Sequence, residues 1–93
     1  MQKIFVPEND TLGHILYLPE TDDLTDMPLL VYLHGAGERG TKLEHLYRHG
    51  IPKLIEEGRN YEAIVLCPQC PAYAVWDNVP VRLKYTITAE SIF

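Results

Sequence analysis

The residues best suited to chemistry lie in one short stretch, residues 34–40, which reads HGAGERG and which we call the glycine turn. Its three glycines leave the backbone bare, so that backbone N–H groups can approach a ligand closely. Thr41 and Glu44 follow with the spacing of a capping box, which predicts the start of a helix. A turn between a strand and a helix start presents unpaired N–H groups that favour an anion. The stretch therefore predicts an anion-binding turn.

The elements that must position this turn can be predicted from apolar runs. Residues 29–33 are apolar without a break and predict a strand buried on both faces. A helical segment is expected over about residues 42–57. Gly50 is expected to interrupt it, with Pro52 at the first position of a new helix and Gly58 at its end. Residues 63–67 predict a second buried strand. Strand, helix and strand in this order predict a parallel βαβ unit. Residues 3–6 and 12–18 predict two further strands paired as an antiparallel hairpin. The predicted fold class is therefore α/β.

Four motifs in a fixed order carry a resemblance to a known family. They are LYLP at residues 16–19, the glycine turn, HGIPKLIEEG at residues 49–58 and CPQCP at residues 67–71. Together they resemble the bacterial esterase or predicted-peptidase branch of the α/β-hydrolase superfamily, over about residues 12–76. The resemblance implies that residues 1–76 are the N-terminal part of a hydrolase domain with a partial α/β-hydrolase sheet. Residues 77–93 depart from the family pattern, and their alternating apolar residues predict a divergent, β-like tail.

The resemblance also implies roles for the residues of the glycine turn. In α/β-hydrolases this loop donates an N–H group to the oxyanion, which implies that Ala36, with Gly37 beside it, forms an oxyanion hole. The full-length relative is expected to act on a small-molecule ester or peptide, without a cofactor. Four further residues are expected to support the turn: His34, Gly35, Glu38 and Arg39.

Several side chains near the turn have more than one expected role. His34 is expected to brace the turn by hydrogen bonding and not to act as a base. Arg39 is expected either to contact a substrate carboxylate or to form a local ion pair with Glu38. Tyr73 and Trp76 either line the mouth of the pocket or cap the sheet edge, and the cap is favoured.

A catalytic nucleophile is the missing part. A serine hydrolase needs a nucleophile, a base and an orienting carboxylate, and the only serine is Ser91. No glycine flanks Ser91, so the G-x-S-x-G elbow is lacking. The histidines all precede Ser91, whereas the family order is serine, acid, histidine. We therefore predict no catalytic residue and an N-terminal fragment inactive on its own. A gene-model truncation, a frameshift or a divergent tail each account for the departure from the family pattern.

Two cysteines and two histidines offer alternative chemistry. Cys67 and Cys70 form a C-x-x-C, which suits a small thiol redox or metal-binding protein. However, Pro71 follows and no second ligand pair is evident, so we expect a buried strand thiol and a loop thiol. His45 and His49 are four residues apart, as in some metal sites, but no third ligand is evident, and we predict no metal.

Composition narrows the remaining classes. The formal net charge is −5, which disfavours binding to nucleic acid or to an anionic membrane. No apolar stretch is long enough to span a bilayer and no signal peptide is evident, so a cytoplasmic location is expected. A noncatalytic interaction module is a further alternative. The family sheet would continue beyond the strand at residues 29–33, so this chain is expected to leave that strand with one unpaired edge and one uncovered face, both apolar, through which it can self-associate.

Overall fold

The computed structural model describes residues 1–9 and 12–77. The strands are β1 (Gln2–Val6), β2 (His14–Leu18), β3 (Leu29–Val31) and β4 (Ile64–Pro68), and the α-helix is α1 (Gly50–Glu56). Two 3₁₀ helices span Ala36–Glu38 and Leu43–Tyr47. The strands form one mixed sheet in the order β1-β2-β4-β3. The α/β class, the antiparallel β1–β2 hairpin and the parallel β3–β4 pair are confirmed.

The centre of the sheet supplies the core, because every residue of β2 and β4 is buried. The two faces pack against different parts of the chain. One face contacts α1 and the second 3₁₀ helix, through a cluster formed by Ile15, Tyr17, Leu43, Leu46, Ile55, Val65 and Cys67. The other face contacts the loop between β2 and β3, through Leu16, Leu18, Leu24, Ile64 and Leu66.

β3 is shorter and more exposed than predicted. Only Leu29–Val31 pair as a strand, and β3 lies at the end of the sheet, with β4 as its one partner among the described residues. Leu30 and Tyr32 pack against the core, whereas Leu29, Val31 and Leu33 are 49%, 46% and 54% exposed. The apolar run taken alone predicted burial on both faces, and this is wrong. The expectation that the incomplete sheet leaves the strand with one unpaired edge and one uncovered apolar face agrees with residues 1–9 and 12–77, none of which covers the second face.

The predicted helical segment is divided into two short helices. The capping box is not formed: Lys42 is the N-cap of the second 3₁₀ helix, and no side chain caps it. α1 begins at Gly50, whose φ is 65°. A Cβ at this position would overlap the Tyr32 hydroxyl, so a glycine is needed where the chain passes β3. Pro52 is therefore the third helical residue and not the first.

Two other expectations are decided by these bounds, and a third lies outside the described residues. Gly58 has a φ of 105° and donates its N–H to the Ile55 carbonyl, so it ends α1 as predicted. His45 lies in the 3₁₀ helix and His49 caps α1, so they do not share one helix face. Ser91 and all but the first residue of the predicted tail lie outside the described residues, and the boundary at residue 76 stays a prediction.

The helices of the described part are short. α1 has seven residues, whereas a transmembrane helix needs about 20 apolar residues. No described helix is long and apolar enough to span a membrane.

Candidate functional site

The glycine turn lies where β3 ends and is bound to the chain that follows β4. Because β3 and β4 run parallel, the segments that follow them leave the sheet at the same end, the carboxyl end of both strands. Residues 69–76, which we call the bracing segment, run beside the turn there. The Gly40 N–H donates to the Cys70 carbonyl over 3.0 Å, and side chains make the other contacts.

His34 is buried and both of its ring nitrogens are used. Nε2 accepts the Cys70 backbone N–H over 2.9 Å, and Nδ1 contacts the Gly35 carbonyl. An acceptor at Nε2 and a carbonyl at Nδ1 fix the neutral tautomer with its proton on Nδ1. Through these two contacts His34 joins the glycine turn to the bracing segment. A ring held in this way has no free nitrogen with which to accept a substrate proton.

Gln69 is the bracing residue that sequence analysis missed. Its side chain is buried, and Nε2 donates to the Glu38 carbonyl over 2.9 Å and to the Lys42 carbonyl over 2.8 Å. One amide therefore satisfies two carbonyls of the turn, which fixes its course. The available signal was a polar residue directly after a buried strand, within CPQCP.

Glu38 and Arg39 do not form the local ion pair that was one of their expected roles. The buried Glu38 carboxylate faces two histidines, with Oε2 3.9 Å from His34 Nδ1 and Oε1 3.6 Å from His49 Nε2. Arg39 points the other way: Nε donates to the Ala36 carbonyl and Nη1 to the Ala74 carbonyl, each over 3.1 Å. Arg39 thus joins the turn to the bracing segment.

A pocket of about 180 Å³ lies between the turn and the bracing segment. Trp76 forms one wall: its Nε1–H donates to the His34 carbonyl over 2.9 Å, and the two rings are 4.9 Å apart. Trp76 therefore lines the pocket, which was the less favoured of its two expected roles, and it also packs as an apolar cap on a buried cluster formed by Leu12, Cys70 and Ala74. Tyr73 is 80% exposed and is not among the residues that line the pocket. They are His34, Gly35, Ala36, Arg39, Cys70, Val75 and Trp76.

The two predicted oxyanion donors are backbone groups of the first 3₁₀ helix. Ala36 and Gly37 are both exposed, and Ala36 lines the pocket. Within the described residues, neither N–H donates a hydrogen bond. A short helix leaves its first N–H groups without partners inside the helix, so these two are available to an acceptor in solution.

The cysteines occupy the settings that the sequence predicts. Cys67 is fully buried in β4, and burial raises its pKa to about 12. Cys70 is buried in the bracing segment, where its thiol contacts the Ala74 carbonyl over 3.4 Å. Burial raises the pKa of Cys70 as well, although the nearby Arg39 charge opposes the shift. Both thiols are free, and residues 1–9 and 12–77 hold no cluster of three or more metal-binding side chains.

Comparison with known proteins supports the fold coarsely. A solved structure described as a thermostable esterase matches 81% of this chain, with a TM-score of 0.53 and 25% sequence identity. The matched region makes up 22% of that protein's chain, so the present chain spans about a fifth of the esterase's length. The sequence matches no protein-family model. No curated protein matches it either. The chain is thus similar in fold to one part of an esterase.

Proposed function

We propose that this chain is the N-terminal part of a serine-esterase-like α/β-hydrolase and that it carries the oxyanion-hole turn of that enzyme. The observation that carries the proposal is the pair of unpartnered N–H groups at Ala36 and Gly37. They lie beside a pocket, in a turn that is held by hydrogen bonds at the carboxyl ends of the parallel strands β3 and β4. The similarity to a thermostable esterase supports the same conclusion.

In this role the two N–H groups stabilise charge that develops on a carbonyl oxygen during acyl transfer. The bracing matters because donors that are already in place need no reorganisation when the charge forms. Loss of one such donor typically raises the barrier by about 2.7–4 kcal/mol. Three side chains act as positioning residues: those of His34, Gln69 and Arg39. Each makes hydrogen bonds that hold the turn in place, and none supplies the oxyanion N–H groups.

The chain supplies only part of the reaction. No serine occurs in the described residues, and Ser91, the one serine in the sequence, lacks flanking glycines. We therefore expect no turnover of a short-chain activated ester above the buffer rate. Turnover that disappears in Ser91→Ala would contradict this expectation and would assign the nucleophile to the tail.

The donors can be tested directly with methylphosphonate, a tetrahedral anion, followed by amide NMR. Ala36→Pro removes one N–H at the first position of a helix, where proline is tolerated. Gly35 is extended, with φ −81° and ψ −176°, which is the conformation that a following proline prefers. We expect methylphosphonate to shift the Ala36 and Gly37 resonances of the wild-type chain and to bind Ala36→Pro about tenfold more weakly, since a hydrogen bond to a charged group contributes about 1.5–3 kcal/mol.

The matched control is Gly37→Ala, which keeps both N–H groups. A Cβ at Gly37 meets no atom within 4 Å, so the variant should fold and bind methylphosphonate as the wild type does. Equal affinity of Ala36→Pro and wild type, or shifts confined to lysine and arginine residues elsewhere, would refute the oxyanion-hole assignment.

The geometry does not favour the alternative function, a thiol redox or metal-binding protein. A redox or metal-binding cysteine needs an accessible thiolate, whereas Cys67 is fully buried with a pKa raised to about 12. We expect an alkylating reagent at neutral pH to leave Cys67 unmodified in the folded chain. Rapid alkylation of Cys67 without unfolding, or stoichiometric zinc in the purified protein, would restore this alternative.

A further inference from the structure

The charged group in the wall of the pocket is an arginine. The other side chains that line it are apolar or already used: Val75 and Trp76 are apolar walls, and both nitrogens of His34 are engaged. Arg39 is the one lining residue with a permanent charge. The chemistry of the pocket is therefore that of an apolar recess with a single cation.

The arginine keeps hydrogen-bonding capacity for a ligand. A guanidinium has five N–H donors, and two of those of Arg39 are used, one on Nε toward Ala36 and one on Nη1 toward Ala74. One N–H on Nη1 and two on Nη2 remain. No carboxylate of the described chain lies within 4 Å of Arg39, and its sequence neighbour Glu38 faces the histidines instead.

From this geometry we infer that Arg39 binds a carboxylate group of the ligand inside the pocket. The inference rests on the proposed function and narrows its substrate class to esters or peptides that carry a carboxylate near the scissile carbonyl. A guanidinium binds a carboxylate through two parallel N–H···O bonds, one from each terminal nitrogen, and both terminal nitrogens of Arg39 retain an N–H. The two backbone carbonyls hold the group in place, so little side-chain freedom is lost on binding.

The pocket walls strengthen this interaction. Arg39 is half-buried, and the apolar side chains of Val75 and Trp76 line the same pocket. Charge pairs interact more strongly where water is excluded. The Ala36 N–H lies beside the same pocket, so a ligand carboxylate on Arg39 places the rest of the ligand toward the proposed oxyanion donors.

A matched pair of small ligands tests the inference on the intact chain. Butyrate and butyramide have the same shape, but only butyrate is charged. We expect butyrate to bind at least about tenfold more tightly, with shifts at the Trp76 indole N–H and at Cys70. Arg39→Gln should abolish the preference for butyrate, whereas Arg39→Lys, which keeps the charge but loses the planar fork, should retain part of it.

The controls separate this inference from the oxyanion proposal and from a purely structural role. If wild type binds the two ligands equally, or if Arg39→Gln keeps the preference, the inference is overturned, even if Ala36→Pro still weakens methylphosphonate. If Ala36→Pro leaves methylphosphonate binding unchanged, the oxyanion proposal fails by itself. A structural cross-link alone would make Arg39→Gln less stable without any butyrate preference in the wild type.

Discussion

The two strands at the centre of the sheet and the strand that leads to the site are built in opposite ways. β2 and β4 are buried along their whole length, whereas two of the three residues of β3 are exposed. Yet β3 carries the glycine turn. The difference teaches that the site is positioned by the bracing segment, which is anchored on β4, and not by burial of the strand from which the turn emerges.

The bracing is polar. His34 accepts from Cys70, Gln69 donates to two carbonyls of the turn, and Trp76 donates to the His34 carbonyl. Each such bond contributes only about 0.5–1.5 kcal/mol net, but leaving a buried partner unsatisfied costs about 1–3 kcal/mol. Directional bonds of this kind fix the course of the turn, whereas the non-directional apolar contacts of β2 and β4 supply stability.

The largest expected effect compares two leucines on the same face of neighbouring strands. Leu66 in β4 is 3% exposed and Leu29 in β3 is 49% exposed. Leu66→Ala should lower the free energy of unfolding by about 2–5 kcal/mol, because it leaves a cavity in the core. Leu29→Ala should lower it by less than about 1 kcal/mol, because the side chain is already half in water. Urea unfolding measures both, and equal losses would contradict the contrast between the strands.

The next effect concerns the contact between Tyr32, the residue that follows β3, and Gly50 at the start of α1. Gly50→Ala should destabilise the chain by about 1–3 kcal/mol, because its Cβ overlaps the Tyr32 hydroxyl and an alanine is strained at a φ of 65°. Gly37→Ala places a Cβ in open space and serves as the control. If Gly50→Ala proves as stable as Gly37→Ala in thermal unfolding, Tyr32 is not held against α1 in solution.

The sequence predicts a structural feature well when adjacent residues determine it, and poorly when contacts with distant parts of the chain determine it. The apolar runs located the strands correctly, and the glycines located the turn, because each depends on a few adjacent residues. The burial of β3 depends on what packs against it, so an uninterrupted apolar run predicts the same burial for a central strand and for one at the end of a sheet. The prediction from the apolar run alone was wrong for Leu29 and Val31 for this reason, whereas the resemblance to a family with a larger sheet led to the expectation of an uncovered face.

The site was predicted in part for the same reason. His34 and the two N–H groups that have no acceptor among the described residues lie within the turn, so a local pattern pointed to them. Gln69 and Trp76 reach the turn only because β3 and β4 are parallel neighbours, and Arg39 finds its partner in Ala74, far along the chain. The capping box at Thr41 and Glu44 is a local pattern that the structure does not form, since Lys42 is the N-cap and no side chain caps the helix.

A smaller effect depends on pH and belongs to the sheet centre. His14 in β2 is buried, and desolvation lowers its pKa below the usual 6.5, although the Leu12 carbonyl that accepts its Nδ1–H opposes the shift. The unfolded chain therefore binds a proton near pH 6.5 that the folded chain binds only at lower pH. This contribution to stability is complete above pH 6.5 and is lost as the pH falls from 6.5 through the folded pKa, by about 1.4 kcal/mol for each unit between the two pKa values.

The measurement is the free energy of unfolding by urea at several pH values from neutral to mildly acidic. His14→Asn should lose the part of the pH dependence that begins near 6.5, whereas His45→Gln, which changes a less buried histidine outside the sheet, should retain it. A pH dependence that is the same in His14→Asn and wild type would show that His14 is not held neutral in the core.

The smallest effect is expected on association and not on folding, and it tests whether β3 is open in solution. Leu29, Val31 and Leu33 present one apolar face, and no described residue pairs with the far edge of β3. An open edge pairs with another strand where one is available, and a second copy offers the same edge in a symmetric, self-complementary contact. This apolar face is small, so we expect a weak dimer that sedimentation detects only at the upper end of a wide concentration range.

Leu29→Gln should shift the equilibrium between monomer and dimer toward monomer, whereas Leu54→Gln, which changes a 39% exposed leucine on α1, should not. A strict monomer at every concentration, unaffected by Leu29→Gln, would mean that another part of the chain already covers β3, and the contrast between the buried sheet centre and an open site strand would then be wrong.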